Sequence, residues 1–114
     1  MSKLEMTGEI RRFDIYLVDF NPTLGSEIRK KRPCLVISPD EMNRHIRTVI
    51  IAPITSLGRN YPTHINCTFQ KVKGQVVLDQ IRTVDKARLT QKLGTISKKV
   101  QDLTLQTLAE MFAR

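Results

Sequence analysis

The chain has 114 residues, of which 40% are hydrophobic and 26% charged, a composition typical of one compact globular domain over residues 1–114. No apolar run approaches the roughly 20 residues that cross a membrane, and the first ten residues lack the apolar stretch of a secretion signal, so we expect a cytoplasmic protein with no membrane partner. The net charge of +8 favours an anionic partner.

The positive charge is concentrated in the middle of the chain. Between Arg29 and Lys73 there are nine lysines or arginines and only two acids, which is a net charge of +7, whereas the remaining residues are nearly balanced. A concentrated positive segment attracts polyanions and gains binding energy when counterions are released. A solvated basic surface is the other interpretation, so charge alone leaves nucleic-acid binding open.

The first half of the chain predicts three strands and one short helix. Residues 13–20 form a strand rich in aromatic and β-branched side chains, and a basic loop over 27–32 leads to a second strand over 34–37. Ser-Pro-Asp-Glu at 38–41 has the marks of a helix start, in which the serine caps and the glutamate reaches back. The segment 48–54 is nearly all apolar and predicts a strand buried on both faces.

The second half predicts more short strands. Residues 55–62 are rich in breakers and predict a loop, and 63–69 alternates like a half-buried strand. A turn over 71–75 contains a glycine, the strand 75–78 follows it, and 92–96 predicts a last short strand.

A C-terminal helix is predicted after Ser97, which can cap it. Five apolar residues of this helix lie on one face at helical spacing and are expected to pack on the sheet: Val100, Leu103, Leu108, Met111 and Phe112. The fold class is therefore mainly β, a small and strongly bent antiparallel sheet or barrel with a short mid-chain helix and a C-terminal helix.

No metal or cofactor site is predicted. His45, His64, Cys34 and Cys67 are the histidines and cysteines of the chain, and none has a spacing such as C-x-x-C or H-E-x-x-H. Walker and G-x-G-x-x-G loops are also missing from the sequence. Both cysteines lie in apolar segments and are expected to be small core residues.

Polar and basic side chains are predicted just outside strands. Arg29–Arg32 is a run of cations in a loop, Thr55 and Asp79 each follow a buried strand, and Arg82 comes soon after. If these ends converge, they place guanidinium, hydroxyl and carboxylate groups together, which suffices for RNA self-cleavage because the ribose 2′-hydroxyl is the nucleophile. The residues alone also allow a surface loop, a turn threonine and an Asp79–Arg82 ion pair.

Several short blocks follow one another in a specific order. They are DIY at 14–16, FNPTLGSE at 20–27, RP at 32–33, NR at 43–44, APITS at 52–56, DQIRTVDK at 79–86 and RL at 88–89. In that order they resemble the MazF/PemK family of toxins, over roughly residues 12–113. The resemblance implies a compact SH3-like barrel with a C-terminal helix that forms homodimers. It also implies an endoribonuclease that cuts single-stranded messenger RNA without metal and leaves a cyclic phosphate, and a cognate antitoxin that inserts a flexible segment into the RNA groove.

The resemblance also assigns catalytic residues. It places the family's catalytic arginine on Arg32, expected to stabilise phosphoryl charge and donate a proton, and its catalytic threonine on Thr55, expected to hold the phosphate. Some relatives use a histidine and an arginine where this chain has Ser26 and Val77, together with an aspartate that matches Asp79. Since this chain lacks the first two, Asp79 is a candidate base or a structural anchor.

A wider set of residues is expected to contact RNA: Ser26, Glu27, Arg29, Lys30, Lys31, Ser56, Arg59 and Arg82. His64 is expected to be a surface or hydrogen-bonded structural residue and not a catalytic one. Two other functions stay open. One is a toxin of the same fold that poisons DNA gyrase, which would not need a basic groove. The other is a non-catalytic RNA-binding module, although aromatic residues at 5% and no Trp give few stacking platforms for bases.

Overall fold

The computed structural model describes residues 9–21 and 30–114, and the structural statements below concern those residues. Their strands and helices, in chain order, are β1 (Asp14–Asp19), β2 (Lys31–Val36), α1 (Asp40–His45), β3 (Thr48–Ser56), β4 (His64–Phe69), β5 (Val72–Val77), β6 (Arg82–Asp85), β7 (Leu89–Thr95) and α2 (Lys98–Phe112). The predicted mainly β fold with a mid-chain and a C-terminal helix is confirmed. In the described ranges, neither helix combines the length and the apolar character needed to cross a membrane.

All strand pairs are antiparallel, and β3 is the centre of the sheet. The strand order is β4-β5-β3-β2-β1-β7, with β6 also paired to β3. The first part of β3 pairs with β6, whereas its last residues pair with β5. The sheet curls so that its two ends, β4 and β7, approach each other. The contact is visible at Gln70, directly after β4, whose side chain donates a hydrogen bond to the Leu93 carbonyl of β7 at 3.3 Å.

Two apolar clusters cover the two faces of the central strands. Successive residues of a strand point to opposite faces, so Cys34 and Val36 of β2 belong to one cluster and Leu35 to the other. This burial on both faces explains the nearly continuous apolar runs in the sequence. Cys34 and Cys67 are both buried free thiols, as predicted. Burial raises the pKa of Cys34 to about 12.

The predicted cap of α1 is wrong. Pro39 occupies the N-cap position, and no side chain caps the helix there. The Ser38 hydroxyl instead donates to Asn43 Oδ1 at 2.5 Å and accepts from the Ile50 amide at 3.0 Å. Asn43 Nδ2 returns a hydrogen bond to the Ser38 carbonyl at 3.0 Å. The serine therefore ties the helix to β3, a partner that is distant in sequence.

The predicted turn over 71–75 is also wrong. Gln70 and Lys71 form the turn, with φ of +53° and +66°, and β5 already begins at Val72. Two residues with positive φ match the twist of the flanking strands in a tight hairpin. Gly74 lies inside β5. A glycine is needed there because a Cβ would come within 2.6 Å of the Thr55 carbonyl oxygen. The glycine therefore permits close approach of β5 to β3.

The C-terminal helix begins as predicted, with the Ser97 hydroxyl accepting from the Val100 amide at 3.4 Å. Its packed stripe differs in part from the prediction. Val100 and Thr104 are buried, and Leu108 and Met111 pack against the core, but Leu103 and Phe112 are 39% and 70% exposed. Positions 100, 104, 108 and 111 form the face toward the sheet, so residues 103 and 112 lie outside it.

Candidate active site

Arg32 and Thr55 lie side by side where β2 and β3 separate. The two strands pair as far as Cys34 opposite Pro53. Continuing that register by two residues would place Arg32 opposite Thr55, but the β2–β3 pairing has ended by then, and Thr55 pairs with Gln75 of β5. The separation leaves a hollow on either side of these two residues, and both residues line both hollows. The structure thus brings together the arginine and the threonine that the sequence singled out.

Neither residue lies where the sequence placed it. Arg32 is inside β2 and not in a loop, and Thr55 is inside β3 and not beyond its end. Pro33 does not break β2, because it pairs only with Leu17 of β1 and the strand has no β3 partner at that point. Both candidate catalytic side chains therefore stand on paired strands, which hold them more rigidly than a loop would.

The first hollow, named here the cationic hollow, has a volume of about 590 Å³. It is lined by Phe20, Lys30, Arg32, Pro53, Thr55, Gln80 and Arg82. Three of these side chains are cations and none is a carboxylate. In the described part of the chain, Arg32 and Arg82 form no ion pair with an acid. Their positive charge is available to a bound anion.

The alternation of side chains along the strands explains why these residues meet. Three residues of the cationic hollow lie two positions along the chain from a buried residue of the cluster that contains Cys34, so they share its face. The pairs are Val18 with Phe20, Cys34 with Arg32, and Val84 with Arg82. The hollow therefore continues one apolar face of the sheet to the point where the strands diverge.

Arg82 is held in place by an aromatic ring. Its guanidinium lies 5.0 Å from the centre of the Phe20 ring, a cation–π distance that leaves the N–H groups at its edge free to bind an anion. Arg32 and Arg82 both oppose the burial that raises the pKa of Cys34, so the fields of the two guanidinium groups meet at this thiol. The thiol itself is fully buried and is not part of the lining of the cationic hollow.

The second hollow, named here the apolar hollow, has a volume of about 460 Å³. Beyond Arg32 and Thr55, most of its lining is apolar, and it includes Phe69, Val72 and Leu93. The Thr55 hydroxyl, half-buried between the hollows, donates to the Ser56 carbonyl at 3.2 Å. An apolar wall beside a cationic wall matches the two parts of a nucleotide, a flat base and a phosphate.

Asp79 lies outside both hollows, in a 3₁₀ turn over Leu78–Gln80. Its Oδ1 accepts a hydrogen bond from Thr63 Oγ1 at 2.8 Å and lies 2.9 Å from His64 Nε2. The Thr63 hydrogen bond is the largest of the effects that lower the Asp79 pKa. Asp79 therefore does not pair with Arg82. His64 contacts Asp79 through Nε2, whereas its buried Nδ1 has no hydrogen-bond partner among the described residues. Asp79 therefore shares neither hollow with Arg32 and Thr55.

The remaining predicted RNA contacts fall into three groups. Ser26, Glu27 and Arg29 lie outside the described residues. Lys30 and Arg82 line the cationic hollow, and Ser56 lines the apolar hollow. Lys31 and Arg59 are exposed and line neither hollow.

Sequence reasoning missed Phe20, Gln80 and Gln75. The first two belong to the quoted blocks, so their position there was the available signal. Gln75 is 2% exposed and stands opposite Thr55 on β5, and no local pattern distinguishes it from a turn residue. In the described residues, no group of three or more histidines, cysteines or acids could hold a metal ion.

The chain is similar to known proteins in sequence and in fold. A model of the family described as PemK-like, MazF-like toxins of type II toxin–antitoxin systems matches residues 11–112. Endoribonuclease MazF of Staphylococcus epidermidis is 43% identical, in an alignment that covers 78% of this chain and 79% of that protein.

Solved structures with the same fold include two toxin–antitoxin complexes. One is an endoribonuclease in complex with its cognate antitoxin from a mycobacterial species, at 25% identity and a TM-score of 0.74, covering 89% of this chain and 92% of that chain. The other is a MazE–MazF crystal structure (form II) from Deinococcus radiodurans, at 25% identity and a TM-score of 0.74, covering 90% of this chain and 95% of that chain.

Proposed function

The chain belongs to the PemK-like, MazF-like toxins of type II toxin–antitoxin systems, and from that premise we propose that it is a metal-independent endoribonuclease with Arg32 and Thr55 in its active site. The observation that carries the assignment is their shared position. Both residues line the same two hollows, and the cations of the cationic hollow have no acid beside them in its lining. That arrangement suits a phosphodiester between two nucleotides.

The substrate supplies its own nucleophile in this reaction. The ribose 2′-hydroxyl gives its proton to solvent water and its oxygen attacks the adjacent phosphorus, so the P–O2′ bond forms and the P–O5′ bond breaks. The products are a cyclic phosphate and a 5′-hydroxyl. Negative charge grows on the non-bridging oxygens in the transition state, and the planar guanidinium of Arg32 can bind two of them. Arg32 is also the candidate proton donor to the leaving O5′, and the Thr55 hydroxyl holds the phosphate.

A single-stranded substrate fits two hollows of different character. A nucleotide at Arg32 and Thr55 can place its phosphate toward Lys30 and Arg82 and turn its base toward the apolar hollow, which requires an unpaired base. Ser56 would contact the same nucleotide. Five further residues would bind the strand farther away: Lys31, Arg59, Arg29, Ser26 and Glu27, of which the last three lie outside the described residues.

A cognate antitoxin and a second copy of the chain are the proposed protein partners. An antitoxin segment that carries acidic side chains could occupy the cationic hollow and exclude RNA.

Leu105 and Phe112, on the exposed side of α2, are 38% and 70% exposed and would favour a homodimer that covers this apolar surface. A monomer mass by light scattering at micromolar concentration would contradict the dimer. A toxin acting on messenger RNA acts in the cytoplasm.

The activity is tested with a long single-stranded RNA in excess EDTA. The wild-type protein should cut it and leave cyclic phosphate ends, and it should not cut a DNA strand of the same sequence. Arg32→Ala should lower kcat by about 10²- to 10³-fold, as expected when one donor to a developing oxyanion is removed. Arg47→Ala is the matched control, because Arg47 is an arginine with an 86% exposed side chain outside both hollows.

Three outcomes would contradict the proposal in different ways. Cleavage by Arg32→Ala at the wild-type rate would remove Arg32 from the mechanism. RNA binding without cleavage would favour the non-catalytic module. Intact RNA together with inhibition of DNA gyrase would favour the gyrase poison of the same fold.

A further inference from the structure

The segment between β3 and β4, residues 57–63, follows Thr55 and Ser56 directly and is anchored at two points. At the first point, Gln75 Nε2 donates to the Arg59 carbonyl at 3.2 Å. At the second point, three side chains meet, and we name them the anchor cluster: Thr63, His64 and Asp79.

The anchor cluster is built around a single carboxylate oxygen. Oδ1 of Asp79 accepts a hydrogen bond from Thr63 Oγ1 at 2.8 Å, and His64 Nε2 lies 2.9 Å from the same oxygen. The His64 side chain is 15% exposed, and its ring stands edge-on to Tyr61 with centroids 5.0 Å apart. The backbone reinforces the same contact, because the Leu78 amide donates to the Thr63 carbonyl at 3.0 Å.

The cluster joins two segments that border the site. On one side lies the segment that leaves Thr55, and on the other lies the 3₁₀ turn over Leu78–Gln80. That turn carries Gln80 into the cationic hollow and leads directly into β6, where Arg82 lines the same hollow. Asp79 is therefore adjacent in sequence to a hollow residue, while Thr63 and His64, which bind its carboxylate, line neither hollow.

We propose that Asp79 is a positioning residue that fixes Gln80 and Arg82 through Thr63 and His64, and that it is not the base that takes the proton from the 2′-hydroxyl. The inference rests on the proposed ribonuclease function. A base needs an oxygen within hydrogen-bond reach of the substrate proton, whereas Asp79 lines neither hollow and its Oδ1 is directed to Thr63 and His64. Those donors require an oxygen acceptor and do not require a negative charge.

This difference makes asparagine the decisive replacement. Asp79→Asn keeps an oxygen that can accept from Thr63 and His64, but it cannot take a proton from the 2′-hydroxyl. The positioning role predicts that Asp79→Asn retains kcat/KM within about threefold of wild type and that Asp79→Ala loses about tenfold, mainly through KM, as expected for about one lost hydrogen bond. The base role predicts a loss of about 10²- to 10⁴-fold in kcat for both variants.

The pH–rate profile provides a readout that a purely structural role would not move. If Asp79 is the base, Asp79→Asn abolishes the acidic limb of the kcat profile; if it positions Arg82, the limb is unchanged. Thr63→Val, which deletes one donor and keeps the carboxylate, should reproduce part of the KM increase seen in Asp79→Ala. Asp102→Ala removes an exposed acid from α2 and serves as the matched control.

Binding separates this inference from the proposed function. Fluorescence anisotropy with an RNA that carries a 2′-deoxy nucleotide at the cleavage site measures affinity without cleavage. Affinity should fall in both Asp79→Ala and Arg82→Ala and should persist in Asp79→Asn. If the wild type fails to cut RNA, the proposed function fails, and the binding series still tests positioning. Asparagine and alanine variants that both bind normally while both lose kcat and the acidic limb would overturn the inference.

Discussion

Two side-chain clusters tie loops and turns to the sheet at opposite ends of β3, and they differ in burial. Near the start of β3, Ser38 and Asn43 are 1% and 3% exposed and satisfy each other and the Ile50 amide. Beyond its other end, Asp79 of the anchor cluster has a side chain that is 46% exposed. Water can replace a lost partner only in the second cluster, so the first should govern stability and the second should govern the geometry of the site.

The largest effect should come from Asn43→Ala. It leaves the buried Ser38 carbonyl without its donor, and an unsatisfied buried group costs about 1–3 kcal/mol, so we expect about 2 kcal/mol less free energy of unfolding. Denaturant titration measures this loss. The kcat/KM on RNA, taken well below the melting temperature, should not change. A large fall in kcat/KM with unchanged stability would reverse the contrast between the two clusters.

Gln75→Met should have an intermediate effect, lowering both the free energy of unfolding and the activity. The glutamine is 2% exposed, but its partners, the Arg59 carbonyl and the Asn66 side chain, belong to exposed residues that water can reach. We therefore expect about 1 kcal/mol of lost stability and a severalfold lower kcat/KM, because the segment after Thr55 loses an anchor. Gln101→Met is the control: Gln101 donates to the Ile96 carbonyl at 2.9 Å, at the start of α2. Equal loss of activity in both variants would contradict a local effect.

The smallest effect should be the pH dependence of stability that Asp79 contributes. Its pKa is lowered in the folded protein, first by the Thr63 hydrogen bond. A lowered folded pKa gives stability that is present above the unfolded value of 3.8 and is lost as the pH falls through the folded value. The stability difference between wild type and Asp79→Asn should therefore shrink as the pH drops below 3.8. Thr63→Val should reduce this pH dependence, and an unchanged dependence would contradict the assigned cause.

Much of the fold could be predicted because its signals are local. Alternating and continuous apolar runs located the cores of the described strands except β6 (Arg82–Asp85), which has no apolar run, and Ser97 marked the start of α2 correctly. The errors arose where a distant partner overrode a local pattern. Ser38 looked like a cap but bonds to Ile50, and Gly74 looked like a turn residue but admits the Thr55 carbonyl.

The candidate site was predicted in part. The ordered blocks indicated Arg32 and Thr55, and the structure brings both to the same two hollows. The blocks also suggested Asp79 as a partner of this pair. The structure directs its carboxylate to Thr63, which is 16 residues away in the chain. No spacing rule covers that contact, because it depends on how β4 and the 3₁₀ turn meet.

The sequence by itself determined the class of fold, the concentration of positive charge and the family, because each depends on residue types and on their order along the chain. Only the tertiary structure decided which cations share a hollow and which acid stays outside it. Phe20, Arg32, Thr55 and Arg82 come from four separate segments. They converge because the pairing of β2 with β3 ends at Cys34 and Pro53 and the sheet opens at that point.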